Sequence, residues 1–466
     1  MASNPEGSEP TEEATESGSN VTFRGLFGLP EFRAVYLSSV TSWIGDYLSR
    51  AAVTVLVYQQ TRSVLLSAIS FALGYLPWIL AGPLLASLGD RYPHRRVMVI
   101  ADVYRMTLTA LLLIPGLPPA LILLVVLLNS LGSPPAQAAR SAMLPLVVGR
   151  ERLTLAIAIQ STSTQAAMVT GYLIGATVAV GVNPRLAIGL DVCTYAISAL
   201  LIATQVRARP AAVALAQRQH LLQETAEGFR VVFGNPVLRS IAIVVFAVVA
   251  FFIVPESLAA SWAAQAVPNG SRGLNQGMIM AAGPFGFVVG GLLFSRLVPA
   301  DRRRRMTPLL AVVTPLVLTP VLLSPPPFAV ALLVTVSGLA QGALQPTLNA
   351  AFVLVLPPTH RARAFGVMNS GMQASQFAAV LITGSLADTF RIPLVVGLWS
   401  VAGTLAMGAV AVFWPNRARF SAAEQDASAE TPPPATAPPF AAPPVTAPPK
   451  QAEPPVTPAE HAEPAA

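Results

Sequence analysis

Between residues 34 and 414 the chain is built from about a dozen apolar stretches of membrane-crossing length, separated by short polar loops. They fall near 34–58, 64–88, 97–115, 119–147, 155–181, 186–206, 238–262, 274–298, 307–324, 327–356, 364–388 and 392–414. A helix needs about 20 apolar residues to cross a ~30 Å hydrocarbon layer. With 53% hydrophobic and 11% charged residues, the chain carries more apolar surface than a soluble core of ordinary composition can hide. The expectation is an all-α membrane protein with about twelve transmembrane helices. Proline and glycine interrupt several of them, which spanning helices tolerate when neighbours satisfy the freed backbone groups.

The arginines orient these helices. One set of loops holds Arg91, Arg95 and Arg96, then Arg150 and Arg152, Arg207 to Arg230, Arg302 to Arg305, Arg361 and Arg363, and Arg417 and Arg419. The alternate loops hold single arginines (Arg62, Arg185, Arg272, Arg391) or none. The arginine-rich set faces the cytoplasm, which places both termini inside. The net charge of +7 therefore reads as a topology signal, and no platform of aromatic and basic residues for nucleic acid accompanies it. A single lysine, Lys450, and an abundance of Ala, Pro and Arg hint at a GC-rich bacterial genome, hence a bacterial cytoplasmic membrane. Cys193 stands alone and His94, His220, His360 and His461 are scattered through loops and tails, so no disulfide, metal site or cofactor is expected.

The chain divides into an acidic tail (1–23), a first six-helix bundle (24–206), a linker (207–237), a second six-helix bundle (238–415) and a Pro/Ala-rich tail (416–466). Both tails read as disordered and cytoplasmic. Within the linker, Leu222 to Phe233 has apolar residues on one helical face and charges on the other, as a helix on the membrane surface would. The halves repeat each other: Gly82-Pro-Leu-Leu-Ala-Ser87 is echoed by Gly290-Gly-Leu-Leu-Phe-Ser295, and Arg95 and Arg96 fall on Arg303 and Arg304. A second register pairs Pro135 with Pro346, Arg150 with Arg361, Arg152 with Arg363 and Gln165 with Gln376. Two pseudo-symmetric bundles follow. Val298 stands where the first half has Asp90, so the lock between the bundles is expected to be asymmetric.

Leu88, Gly89, Asp90, Arg91, Arg95 and Arg96 close the second apolar stretch in a pattern that resembles the loop between helices 2 and 3 of major facilitator superfamily transporters. Ala86, Pro93 and His94 depart from that pattern. Three further stretches resemble its drug:H+ antiporter branch, which includes macrolide-efflux and enterobactin-exporter proteins. They are Ser42-Trp-Ile-Gly-Asp46, Ala139-Arg140-Ser-Ala-Met-Leu-Pro145, and Glu227-Gly-Phe-Arg-Val-Val-Phe-Gly-Asn-Pro236. The resemblance covers roughly residues 24 to 415 and implies the major facilitator fold, alternating access and proton antiport. The branch's helix 5 pattern appears as Gly171-Tyr-Leu-Ile-Gly175-Ala176 without its proline, and Ala120 to Leu128 lacks the membrane arginine of helix 4.

An ionisable side chain near the bilayer centre costs about 2.5–3.5 kcal/mol on insertion scales, so each one calls for a partner or a wet cavity. Asp46 and Arg50 lie one turn apart on the first helix and form either a mutually neutralising pair or part of the transport cavity. Glu256 has only uncharged residues within a turn on either side, so it either reaches the external interface near Trp262 or carries the coupling proton. Asp102 and Arg105 are expected to pair with Arg140 or the hinge arginines, and Asp191 to cap or pack near the external end. Asp90, Arg91, Arg95, Arg96, Arg140 and Asp102 make up the expected cytoplasmic gate. Gln165, Gln376 and Asn349 are candidates for lining the substrate cavity.

The expectation is a non-enzymatic secondary transporter acting as a monomer among membrane lipids, which exports an amphipathic small molecule in exchange for protons. A lipid or lysolipid flippase or a facilitator on the same fold is the alternative, and a non-transporting scaffold is a further one.

Overall fold

The computed structural model describes residues 23–80, 92–209, 221–266, 271–357, 360–415 and 417–429. Regular structure among them is helical. In chain order the helices are α1 (Phe23–Phe27), α2 (Pro30–Thr61), α3 (Val64–Ala72), α4 (Leu76–Leu80), α5 (His94–Leu111), α6 (Pro119–Leu131), α7 (Ser133–Gly181), α8 (Pro184–Gln205) and α9 (Leu221–Gly234). They continue with α10 (Pro236–Phe252), α11 (Val254–Ala266), α12 (Arg272–Leu297), α13 (Ala300–Leu316), a 3-10 turn (Thr319–Leu323), α14 (Pro327–Val355), α15 (Arg361–Thr389), α16 (Ile392–Val412) and α17 (Arg417–Ala429).

Their boundaries follow from local chemistry. Proline opens α2, α8 and α10, where its missing N–H has no helical partner to lose. The side chains of Ser63, Asn183 and Asn235 accept hydrogen bonds from the first free backbone N–H groups of α3, α8 and α10. Gly149, at φ +76°, lies in the left-handed region and kinks α7, dividing its length into two spans.

Among the described residues, eight helical segments are long and apolar enough to cross a membrane: 119–149, 151–181, 184–205, 236–266, 272–297, 302–323, 327–355 and 392–412. Polar residues depress the apolarity of the others. Asp46 and Arg50 lie in α2, Asp102 and Arg105 in α5, and Asn369, Gln373 and Gln376 in α15. The stretch 64–88 runs beyond the described residues. Several of these polar groups turn inward, and they lead to the site described below.

One buried apolar cluster runs from Val232 of the linker through the second bundle to Ala423 of the C-terminal segment, and two draw only on residues before 209. The largest spans both halves and joins Phe71, Tyr75 and Tyr172 to Leu258, Trp262, Met280 and Val380. The halves meet where α12 packs on α7 and where α15 packs on α3 and α4. The α12 contact is close because Gly273 and Gly277 carry no side chain: a Cβ there would press on the Ala176 carbonyl at 2.8 Å and the Leu173 Cα at 3.1 Å. Gln276 Nε2 donates across the same seam to the Ala51 carbonyl at 3.1 Å. α9 docks on α15, where Arg363 and His360 hold Glu227.

Candidate functional site

α2 is the helix on which the buried charges converge. One of its faces carries Gly45, Asp46 and Ser49 toward α8, and a Cβ at Gly45 would collide with Asp191 and Thr194. Here α2, α3, α5, α6 and α8 enclose a cavity of about 200 Å³ lined by Asp46, Arg50, Arg105, Asn129, Asp191 and Tyr195, among others. Arg105 holds Asp46 in a two-pronged bond, Nη2 to Oδ1 at 2.6 Å and Nη1 to Oδ2 at 3.3 Å. The Tyr195 hydroxyl donates to the same carboxylate. Arg105 is itself fixed by its Nε bond to Asn129 Oδ1 at 3.3 Å and by stacking 4.7 Å above the Tyr195 ring. Asn129 in turn donates to Thr109 Oγ1 at 2.6 Å.

Of the two expectations for Asp46 and Arg50, the mutually neutralising pair is not formed, while both side chains line this cavity. Arg105, on a neighbouring helix, supplies the fork that matches a carboxylate. Arg50 turns away into aromatic rings, with its guanidinium carbon 5.3 Å from the Phe71 centroid and 5.8 Å from those of Tyr47 and Tyr75. Spacing by one helical turn permits an ion pair, but tertiary packing decides which partner has the better geometry.

A second buried acid lies at the seam. α10 and α11 break at Ile253, two residues before Pro255, and the break sets Glu256 into the apolar cluster between the halves. Glu256 is 5% exposed, so its carboxyl is packed inside the protein. Its Oε1 accepts from the Tyr172 hydroxyl of α7 at 2.7 Å, so a carboxylate of the second half is held by a phenol of the first.

The remaining candidates are more dispersed. Asp102 is buried and accepts from Ser198 Oγ at 2.6 Å; among the described residues it forms no ion pair, and Arg140 and Arg105 attract it from beyond ion-pair distance. Arg140 is buried with its guanidinium carbon 5.2 Å from the Trp43 ring centroid, and its Nε has no hydrogen-bond partner. Arg95 reaches the Ala203 carbonyl in the last turn of α8, and Arg96 is exposed. Asp90 and Arg91 lie outside the described residues. Gln165 and Gln376 are half-buried and Asn349 is exposed, and none of the three lines the cavity around Asp46. Among the described residues, no group of three or more His, Cys, Asp or Glu side chains is placed to hold a metal.

Sequence alone does not single out Tyr172, Tyr195, Asn129 or Asp191 for this site. Tyrosine and asparagine in apolar stretches carry no periodic signal. Asp191 is visible as a charge eight residues into a spanning helix, but its distance from the helix end conceals its packing against α2.

Comparison with known proteins agrees with this architecture. The chain matches the Major Facilitator Superfamily family over residues 35–275 and 256–451. It is similar to the multidrug efflux pump Tap of Mycolicibacterium fortuitum, with 26% identity over 82% of this chain and 95% of the relative. A shorter match, 26% identical over 27% of this chain and 32% of the relative, joins it to macrolide efflux protein A of Streptococcus pyogenes. Among solved structures, a peptide transporter POT in complex with sulfate superposes with a TM-score of 0.63 at 14% identity, covering 86% of this chain and 95% of that one. A mutant of the nucleoside transporter NupG gives 0.63 at 15% identity, covering 81% and 99%. With helices of spanning length, paired halves and a match that runs through both of them, the chain belongs to the major facilitator superfamily.

Proposed function

We propose that the chain exports amphipathic small molecules across a bacterial cytoplasmic membrane by alternating access, in exchange for protons. The observation that carries the coupling is the bond between Glu256 and Tyr172. A buried carboxylate whose hydrogen-bond partner belongs to the opposite half changes its solvation whenever the halves rock apart, and its proton affinity changes with it. The names of the two efflux relatives support the direction of transport and the substrate class.

In this reading Glu256 is the proton carrier. Asp46, locked to Arg105 and Tyr195, is a second candidate that releases only when that lock opens. Asp90 and Arg91, with Arg95, Arg96, Arg140 and Asp102, form the cytoplasmic gate. Gln165, Gln376 and Asn349 line the wider passage between the halves. The two six-helix bundles move as units about the linker, both tails lie in the cytoplasm, and the transporter works as a monomer.

The test is energy-dependent efflux from efflux-deficient bacterial cells, using macrolides, siderophores and amphipathic dyes. The wild type is expected to lower accumulation, a protonophore to abolish that effect, and Glu256→Gln to be inactive. Efflux that survives the protonophore, or survives both Glu256→Gln and Asp46→Asn, would instead identify a facilitator or lipid flippase.

A further inference from the structure

Two ionisable side chains in the cavity around α2 stand outside the Asp46–Arg105 ion pair. Asp191 is 2% exposed and accepts from Thr194 Oγ1 at 3.1 Å, with Ser49 of α2 beside it and Arg105 attracting it from beyond ion-pair distance. It forms no ion pair within 4.0 Å among the described residues. Arg50, on the adjoining face of α2, makes neither a hydrogen bond nor an ion pair among the described residues. Its guanidinium rests against the aromatic faces of Tyr47, Phe71 and Tyr75, over the bare backbone of Gly74, where a Cβ would meet Nη2 at 2.8 Å. Glu256 attracts it from beyond ion-pair distance.

One cavity of about 200 Å³ thus holds a carboxylate and a guanidinium apart from each other, with Trp43, Phe71, Trp78 and Tyr195 also on its walls. Uncompensated charges in an apolar bundle are costly unless a ligand completes them. A neutral ligand satisfies neither group, and a singly charged one leaves the other without a counterion. A ligand with a cationic and an anionic group on an aromatic or apolar body satisfies both, and each contact is a charge-assisted hydrogen bond.

We infer that this cavity is a binding site for zwitterionic amphiphiles, with Asp191 taking the ammonium group and Arg50 the carboxylate or equivalent anion. The inference rests on the reading of the chain as a transporter and names its substrate class. It also gives the exchange a local basis. A proton and an ammonium group exclude each other at Asp191, which faces Asp46 and Ser49 of α2, Arg105 of α5, and Thr194 and Tyr195 of its own helix.

The experiment is calorimetric titration of the purified full chain in detergent, with no proton gradient, using biphenylalanine, its carboxamide and its N-acetyl derivative. The free amino acid is expected to bind about tenfold or more tightly than either blocked form, the difference one charge-assisted contact supplies. Arg50→Gln should abolish its advantage over the carboxamide, and Arg50→Lys should retain part of that advantage. Asp191→Asn should abolish its advantage over the N-acetyl form. Equal affinities for the three compounds, no binding of any at millimolar concentration, or an equal loss for all three in Arg50→Gln would overturn the inference. The selective pattern without gradient-driven efflux in cells would sustain the site and fail the export reading alone.

Discussion

At the scale of single residues, the Asp46–Arg105 pair is the interaction on which the cavity's geometry most depends. Removing one member of a largely buried ion pair leaves the other charged and unpaired, at a cost of about 3–5 kcal/mol. Arg105→Gln and Asp46→Asn should therefore each lower thermal stability in detergent, and the double substitution should lower it by clearly less than the sum. Additive losses would show that the two groups are energetically independent. Arg105→Lys should not restore stability, because a point charge cannot reproduce the two-pronged contact and the stacking on Tyr195. Much of this site was legible as a list of charges in apolar stretches: Asp46, Arg50, Asp102, Arg105 and Glu256 all stand out in the sequence. Their pairings were not, since those depend on how α2 is rotated against α3, α5 and α8. Nothing in the order of residues announces that Ser198 satisfies Asp102 or that Tyr172 satisfies Glu256.

At the scale of elements, helix ends are fastened to one another by short polar clasps. Glu31, in the first turn of α2, is gripped by Arg209 beyond the end of α8, with Nη2 to Oε2 at 2.8 Å, and accepts the Arg207 backbone N–H at 3.0 Å. The hydrogen bond from Arg209 is the main reason its carboxyl titrates below the ordinary glutamate value of 4.5. A group whose folded-state pKa is depressed contributes stability above its unfolded value and loses it as pH falls through the folded value. Wild type should therefore melt higher than Glu31→Gln at pH 7, and the gap should close as the pH is brought below about 4.5. A gap independent of pH would mean that the clasp does not act through charge. Helix starts marked by proline were legible because proline position is a local property, whereas the division of the stretch from Val64 into α3 and α4 was not. The break at Ile253 was foreshadowed by Pro255, whereas the docking of α9 on α15 through Glu227 was not, because its partners His360 and Arg363 lie over 130 residues away in sequence.

At the scale of the whole molecule, the internal repeat anticipated two halves but not the contacts that fasten them. One of these is made by Asp388, near the end of α15, which caps the start of α3 in the opposite half. Its Oδ2 accepts from Ser63 Oγ at 2.9 Å, and its Oδ1 accepts from the backbone N–H groups of Val64 and Leu65 at 2.5 and 3.2 Å. A carboxylate at a helix N-terminus satisfies free donors and complements the helix dipole, and here the acid and the helix belong to different halves. In the alternating-access reading we propose this contact as a latch that fastens the halves at their outer ends. A capping contact of this kind contributes about 1 kcal/mol, so its loss should raise the outward-open population about fivefold. Ala68, fully buried beneath the latch where a Cβ on Gly384 would lie 3.0 Å away, is a suitable reporter position. With the exposed Cys193 replaced by serine and Ala68→Cys introduced, Asp388→Ala should speed labelling of intact cells by a membrane-impermeant maleimide. An unchanged rate would remove Asp388 from the gate, while faster labelling from the cytoplasmic side of inverted vesicles alone would place the latch at the inner ends instead.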